Sequence, residues 1–225
     1  MANEVEKLNS IAIADIEKVN GKTDDNIEAF NGFEFANVTE WHSLLATPLN
    51  ITTSDTAVSL VTVTTSINWT AYDIYQFQFI DFHPETQHAH LQFQVSASDN
   101  AGGYDEHITS TYFHAEHSED GGTTNLAYST GYDQANGQAY QAMVPSADND
   151  TEDSISGNLF LFKPSSGYVK HFLSRFGSNH HSGEYSLDSQ AGGYIDEATD
   201  IDEIRFKFSS GDIHAGKLKV FGIIK

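Results

Sequence analysis

Apolar and polar residues alternate along several stretches of this chain. In "YQFQF", Tyr75, Phe77 and Phe79 alternate with Gln76 and Gln78. In "HAHLQFQV", Ala89, Leu91, Phe93 and Val95 alternate with His88, His90, Gln92 and Gln94. "IDEIRFKFSS" sets Ile204, Phe206 and Phe208 against Arg205 and Lys207, and "GKLKVFGII" sets Leu218 and Val220 against Lys217 and Lys219. Successive side chains of a strand point to opposite faces, so each run predicts a strand with one buried and one wetted face. The run "AVSLVTVTTSI" from Ala57 is rich in β-branched residues and predicts another strand.

Turn signals separate these runs: Asn100-Ala-Gly-Gly, Asp120-Gly-Gly, Ala135-Asn-Gly, Pro164-Ser-Ser-Gly, Ala191-Gly-Gly and Ser210-Gly-Asp. Pro48, Pro84, Pro145 and Pro164 fall at run edges, where strands tolerate proline. About nine to eleven short strands at this spacing predict an all-β, antiparallel sandwich. A jelly-roll-like arrangement is the first expectation and an up-and-down barrel the alternative.

The first 36 residues read differently. Ile16, Val19, Asn20 and Gly21 recur 11 residues later as Ile27, Phe30, Asn31 and Gly32. Asn9-Ser10 reads as a helix start, Ile13, Ile16 and Val19 as its apolar stripe, and Asn20-Gly21 as its stop. Asp24 or Asp25 then caps a second short helix that runs through Phe30 and ends at Asn31-Gly32. Helices this short are marginal in water, and nothing local covers their apolar stripes. The segment is therefore expected to dock on another chain through Ile13, Ile16, Val19, Ile27 and Phe30. The expected division is a partly helical attachment and oligomerisation segment at 1–36 and a sandwich domain at 37–225.

Composition narrows the function. The chain is 39% hydrophobic and 12% aromatic, enough to build a sizeable core. It has no run of about 18 apolar residues, so no membrane-inserted helix is expected. The opening "MANEVEKLNS" lacks a basic region followed by an apolar stretch, so no secretory leader is expected. There are no cysteines, which excludes disulfides, Cys-ligated zinc and a thiol nucleophile. The net charge of -21 is unevenly placed. Between Lys22 and Lys163 there is no Lys or Arg, and those 140 residues carry 20 of the 32 acids. Such a field repels nucleic acid and anionic membranes, so neither is an expected partner.

The runs "AYDIYQFQFIDFHPET", "GYDEHITSTYFHAEH", "AYSTGYDQANGQAYQ", "SISGNLFLFKPSSGYVKHFLSR" and "GGYIDEATDIDEIRFKFSSGDIHAGKLKVFGIIK" together resemble a group of virion structural proteins common in marine phages. The resemblance spans residues 70–225 and is most specific over 201–224. The opening "I..I.KVNG" pattern also resembles short segments near the start of phage tail and appendage proteins. The resemblance implies a non-enzymatic particle component, located in the virion of a cyanophage-like phage, with no catalytic residues and no cofactor. A tail or fibre appendage component is expected, as a homotrimer with other virion proteins as partners. A capsid decoration protein and a module that binds host-surface glycan are the alternatives.

Several groups have the right chemistry for a site. His88 and His90 lie two apart on a strand, a workable metal-ligand spacing, but they share a face with Gln92 and Gln94 and read first as surface histidines, with metal binding the alternative. "SADNDTEDS" offers Asp148, Asn149, Asp150, Glu152 and Asp153 as oxygen ligands for calcium, without the spacing of an EF-hand. No nucleophile elbow, zinc-protease motif or phosphate-cradling loop is present, so no enzymatic activity is expected. Tyr104, Tyr112, Tyr128, Tyr132, Tyr140, Tyr168, Tyr185 and Tyr194 cluster near turns. Exposed, they would suit sugar stacking; at sandwich corners, they would bury the ring and wet the hydroxyl. Trp41 and Trp69 read as core or interface anchors. The Asn-X-Thr triplets at Asn37, Asn50, Asn68 and Asn149 read as chance.

Overall fold

The structure is a computed structural model that describes residues 41–45, 49–51, 61–63, 67–150, 152–180 and 185–223, together with six two-residue strands within the first 40 residues. The chain forms two compact units, Met1–Glu40 and Trp41–Lys225.

In the first unit, β1 (Lys7–Leu8) pairs with β2 (Ile11–Ala12), β3 (Lys18–Val19) with β4 (Lys22–Thr23), and β5 (Ala29–Phe30) with β6 (Phe33–Glu34). Each pair is antiparallel, and two residues separate its arms: Asn9-Ser10, Asn20-Gly21 and Asn31-Gly32. Equivalent positions are 11 residues apart through all three pairs, so the repeat seen twice in the sequence has a third copy. The expected short helices are not confirmed here, because Val19 and Phe30 lie in strands. The physical reason is that Asn-Gly serves two purposes. It supplies the left-handed residue that ends a helix, and it is also the preferred two-residue hairpin turn. Ile13, Ile16 and Ile27 lie outside the described residues.

The second unit is all-β and antiparallel. Its strands are β7 (Trp41–Ser43), β8 (Leu49–Ile51), β9 (Val61–Val63), β10 (Ile74–Pro84), β11 (Ala89–Ala97), β12 (Ile108–Ser118), β13 (Thr124–Tyr128), β14 (Gln141–Ala147), β15 (Ile155–Phe162), β16 (Lys170–His180), β17 (Tyr185–Ile195), β18 (Ile201–Phe208) and β19 (Ile213–Ile223). One sheet runs β19-β10-β15-β16-β17-β12-β13, with β7 and β8 both paired to β19. The other runs β14-β11-β18-β9. Among the described residues a single pairing, Ala147 with His180, links the two. The jelly-roll arrangement is not confirmed: these sheets have nine and four strands, whereas a jelly roll divides about eight between two Greek keys.

The alternating runs fall as the period requires. Tyr75, Phe77, Phe79, Leu91, Phe93, Val95, Ile204, Phe206, Leu218 and Val220 are all buried. Across the sandwich, Phe206 of β18 meets Phe77 and Phe79 of β10 at ring-centroid distances of 5.3 and 5.0 Å. Phe93 of β11 meets Phe172 of β16 at 5.0 Å. Trp69 is buried against Tyr75 at 5.4 Å, whereas the side chain of Trp41 lies outside the described residues. Each buried ring contributes about 1.5–3 kcal/mol through burial alone.

Two bulges shape this framework. In β10, three steps from Phe79 to Phe82 face two in β15, and Asp81 takes up the extra residue with φ 52°. Across from it in β19, Gly216 has φ 144°, and a Cβ there would stand 2.5 Å from the Phe82 ring. In β14, Pro145 and Ser146 together face His90. Pro145 thus sits inside a strand rather than at a run edge, at a bulge where no ladder N–H is required of it.

Phe79 also touches Phe82 and Phe176 at 4.9 and 5.4 Å, so it joins three strands. Phe79→Ala is expected to cost about 3–5 kcal/mol in urea unfolding of the full chain. A loss below about 1 kcal/mol would mean that the sheets do not pack through this ring.

Candidate functional site

The outer face of the smaller sheet is covered in part, with Gln94 and Ser96 buried and His90, Gln92, Arg205 and Lys207 half-buried. The connections 98–107 and 129–140 cover it, and two buried glutamines fasten them. Gln94 of β11 is fully buried; its Nε2 reaches the carbonyls of Glu106 (3.0 Å), Gln138 (3.2 Å) and Ala139 (3.2 Å), and its Oε1 accepts the Val95 N–H. Gln141 of β14 donates to the Tyr132 and Ala142 carbonyls and accepts the Ser110 hydroxyl at 2.6 Å. The wet face expected for Gln94 therefore does not exist: strand period sets which way a side chain points, not what a distant loop lays over it.

Tyrosines of these connections lie on the basic side chains of the same sheet. The Arg205 guanidinium sits 3.5 Å from the centre of the Tyr104 ring, and Lys207 Nζ sits 4.6 Å from that of Tyr140. The His90 ring packs edge-on against Tyr132 at 5.3 Å. Burial, and then the hydrogen bond that Tyr104 gives to Glu203, push the Tyr104 hydroxyl up to about 12. These contacts engage Tyr104, Tyr132 and Tyr140 in the fold. Tyr112 is buried, while Tyr128, at the end of β13, and Tyr168, in the connection before β16, are exposed.

The second cluster is a buried charge at the start of β16. Lys170 is fully buried, and its Nζ donates to the carbonyls of Glu197 (2.8 Å) and Thr199 (2.6 Å). Burial holds its pKa below the usual lysine value, against the pull of Glu197, Asp200 and Glu106. Glu106 is buried beside it and accepts the Ala97 N–H at 3.3 Å. Burial, and then the neighbouring Glu197, raise the Glu106 pKa. The arrangement ties the 196–200 connection to the β16 strand. Sequence reading missed Lys170, although a signal was there: it shares the inward phase of Phe172, Ser174 and Phe176.

The acidic loop 148–154 joins β14 to β15. Carboxylate oxygens of Asp148, Asp150 and Asp153 lie within 4.8 Å of one another. Of the carboxylates the sequence offered, Asp148, Asp150 and Asp153 form this group, whereas Glu152 is exposed and lies outside it. Burial, and then Asp148, Asp150 and Glu152, raise the Asp153 pKa, while His83 lowers it. His83 Nε2 lies 2.7 Å from the Asp150 carbonyl. Three hard oxygens of this kind match the ligand chemistry of calcium, which takes six to eight.

His88 and His90 belong to no such convergent group among the described residues. His88 is exposed in the turn before β11, with φ 62°. His90 is half-buried, and its Nδ1 accepts the Ser146 N–H at 2.9 Å. Burial, and then His88, hold its pKa below the usual histidine value. A shallow polar groove of about 440 Å³ lies where β12, β15, β16 and β17 end, lined by residues that include Ser118, Ser156, Ser178, Asn179 and Tyr185. Its lining contains neither Lys170, nor Glu106, nor the three aspartates.

No family model, curated protein or solved structure matches this chain.

Two outcomes follow from the buried charges. Lys170→Met keeps the stem but leaves two carbonyls without their donor, so about 2–4 kcal/mol should be lost in chemical unfolding. For Glu106, the folded pKa lies above the unfolded one. Its favourable contribution is therefore full at low pH and lost as pH rises through the folded value. The melting temperature of Glu106→Gln relative to the parent should accordingly increase from pH 4 to pH 7. A difference that does not change with pH would contradict this placement of Glu106.

Proposed function

We propose that this chain is a non-enzymatic structural component of a phage virion, most specifically a tail or fibre appendage protein. Its N-terminal unit is the attaching part and its two-sheet unit the projecting body. The observation that carries this reading is the division of the chain into a tandem hairpin unit and a separate antiparallel body. Small hairpins of two-residue arms are not stable alone, so a chain that strings three together has them completed elsewhere. The resemblance of residues 70–225 to marine phage virion proteins supports the same reading.

The charge distribution fits it as well. A body this acidic stays soluble outside a cell, where salt screens its self-repulsion. A homotrimer is the assembly we favour, with other virion proteins as further partners. Host glycan is a weaker partner in this reading, because Tyr128 and Tyr168, the exposed tyrosines, lie on separate elements, the end of β13 and the connection before β16.

The test is proteomic. Particles purified from a culture that produces this chain should contain it, and fractionation should place it with detached tails or fibres. Recovery with intact heads would favour a decoration protein instead. Absence from washed particles would overturn the virion reading altogether.

A further inference from the structure

The first unit holds the most regular feature of the chain. Its arms begin at residues 7, 18 and 29, and again at 11, 22 and 33, a constant pitch of 11 residues. Each hairpin is a sheet of its own with two residue pairs, such as Lys18 with Thr23 and Val19 with Lys22. A two-stranded sheet has two edges by construction, and an edge presents backbone donors and acceptors to any strand of matching length.

We infer that the hairpins of residues 1–40 pair edge to edge between copies of this chain, repeat against repeat, so that the 11-residue pitch sets the register of the oligomer. This deepens the proposed function and rests on its reading of the first unit as the joining part. The occupant is a second copy for two reasons. First, only a strand set with the same pitch meets all three hairpins at once, and every copy carries that set. The residues that lead into the hairpins keep the same pitch: Val5, Ile16 and Ile27, followed by Val38. Second, the charges are complementary. All three basic residues of the unit, Lys7, Lys18 and Lys22, fall in hairpin arms. Of its acids only Glu34 does; Glu4, Glu6, Asp15, Glu17, Asp24, Asp25, Glu28 and Glu40 lie outside them. The first two hairpins thus carry lysines between acidic spacers, and a neighbouring copy can set one against the other. One-dimensional repeat arrays are stabilised by such nearest-neighbour contacts.

Pitch can be tested directly with two deletions. Removing residues 18–28 takes out one whole repeat and leaves two hairpins 11 residues apart. Removing residues 18–23 leaves the same two hairpins at a broken pitch. Both proteins and the full chain are compared by size-exclusion chromatography with light scattering, and circular dichroism verifies that the sandwich melts as in the parent. Mixed with the full chain, the whole-repeat deletion should co-assemble with it through two hairpins, whereas the broken-pitch deletion, which can match only one, should co-assemble only at a concentration at least about tenfold higher. The double variant Gly21→Val with Gly32→Val, which disfavours both Asn-Gly turns, should dissociate.

Equal behaviour of the two deletions, in either direction, would overturn the inference. So would a full chain that is monomeric at all concentrations. That result would leave the virion reading intact if particle proteomics finds the chain, because symmetry would then come from the particle.

Discussion

The body of this protein depends on one line of contact, where Phe77 and Phe79 of β10 meet Phe206 of β18. Without cysteines the two sheets have no covalent tie, and among the described residues a single backbone pairing joins them. Ring packing must therefore fix their separation and their relative slide. Edge-to-face geometry suits that task because it is directional as well as apolar. The Asp81 bulge and Gly216 lie next to this line and let β10 bend around Phe82 without breaking its pairing to β19.

The strands that form this line were the ones most legible in the sequence. β10, β11, β18 and β19 carry the strict alternation of period two, and their inward residues are buried as the pattern requires. What the pattern hides is anything set by distant chain. Gln94 is in phase with solvent, yet the 98–107 and 129–140 connections cover it. Pro145 looks like a strand end, yet a bulge accommodates it. In the first unit, Asn20-Gly21 carries two local meanings, and only a third copy at Leu8-Asn9-Ser10 separates hairpin from helix stop. The candidate site was legible in part: the 148–153 loop announced itself by composition, but composition does not set which carboxylates turn inward, and Glu152 does not join Asp148, Asp150 and Asp153. Lys170 was hidden because a lysine among apolar residues is ordinarily read as surface.

The positive charges of the second unit are largely engaged. Arg175 forms a bidentate pair with Asp188 at 3.0 and 2.7 Å, and Lys163 lies 3.5 Å from Asp73. Arg205 and Lys207 rest on tyrosine rings, and Lys170 is buried against carbonyls. The acids outnumber these cations, and ten of them, among them Asp81, Glu85, Asp99, Asp105, Glu119 and Asp120, are exposed. The surface that results favours water and cations over polyanions. It also means that copies of the body repel one another at low salt, so any contact that gathers them must lie elsewhere or be strong.

The long stretch without Lys or Arg has a consequence for degradation. Every strand from β5 to β15 lies between Lys22 and Lys163. A protease that cuts only after basic residues finds no bond to attack there, folded or unfolded. For that class of enzyme, most of the body is a single indivisible fragment, and resistance is written into its covalent chemistry rather than its stability.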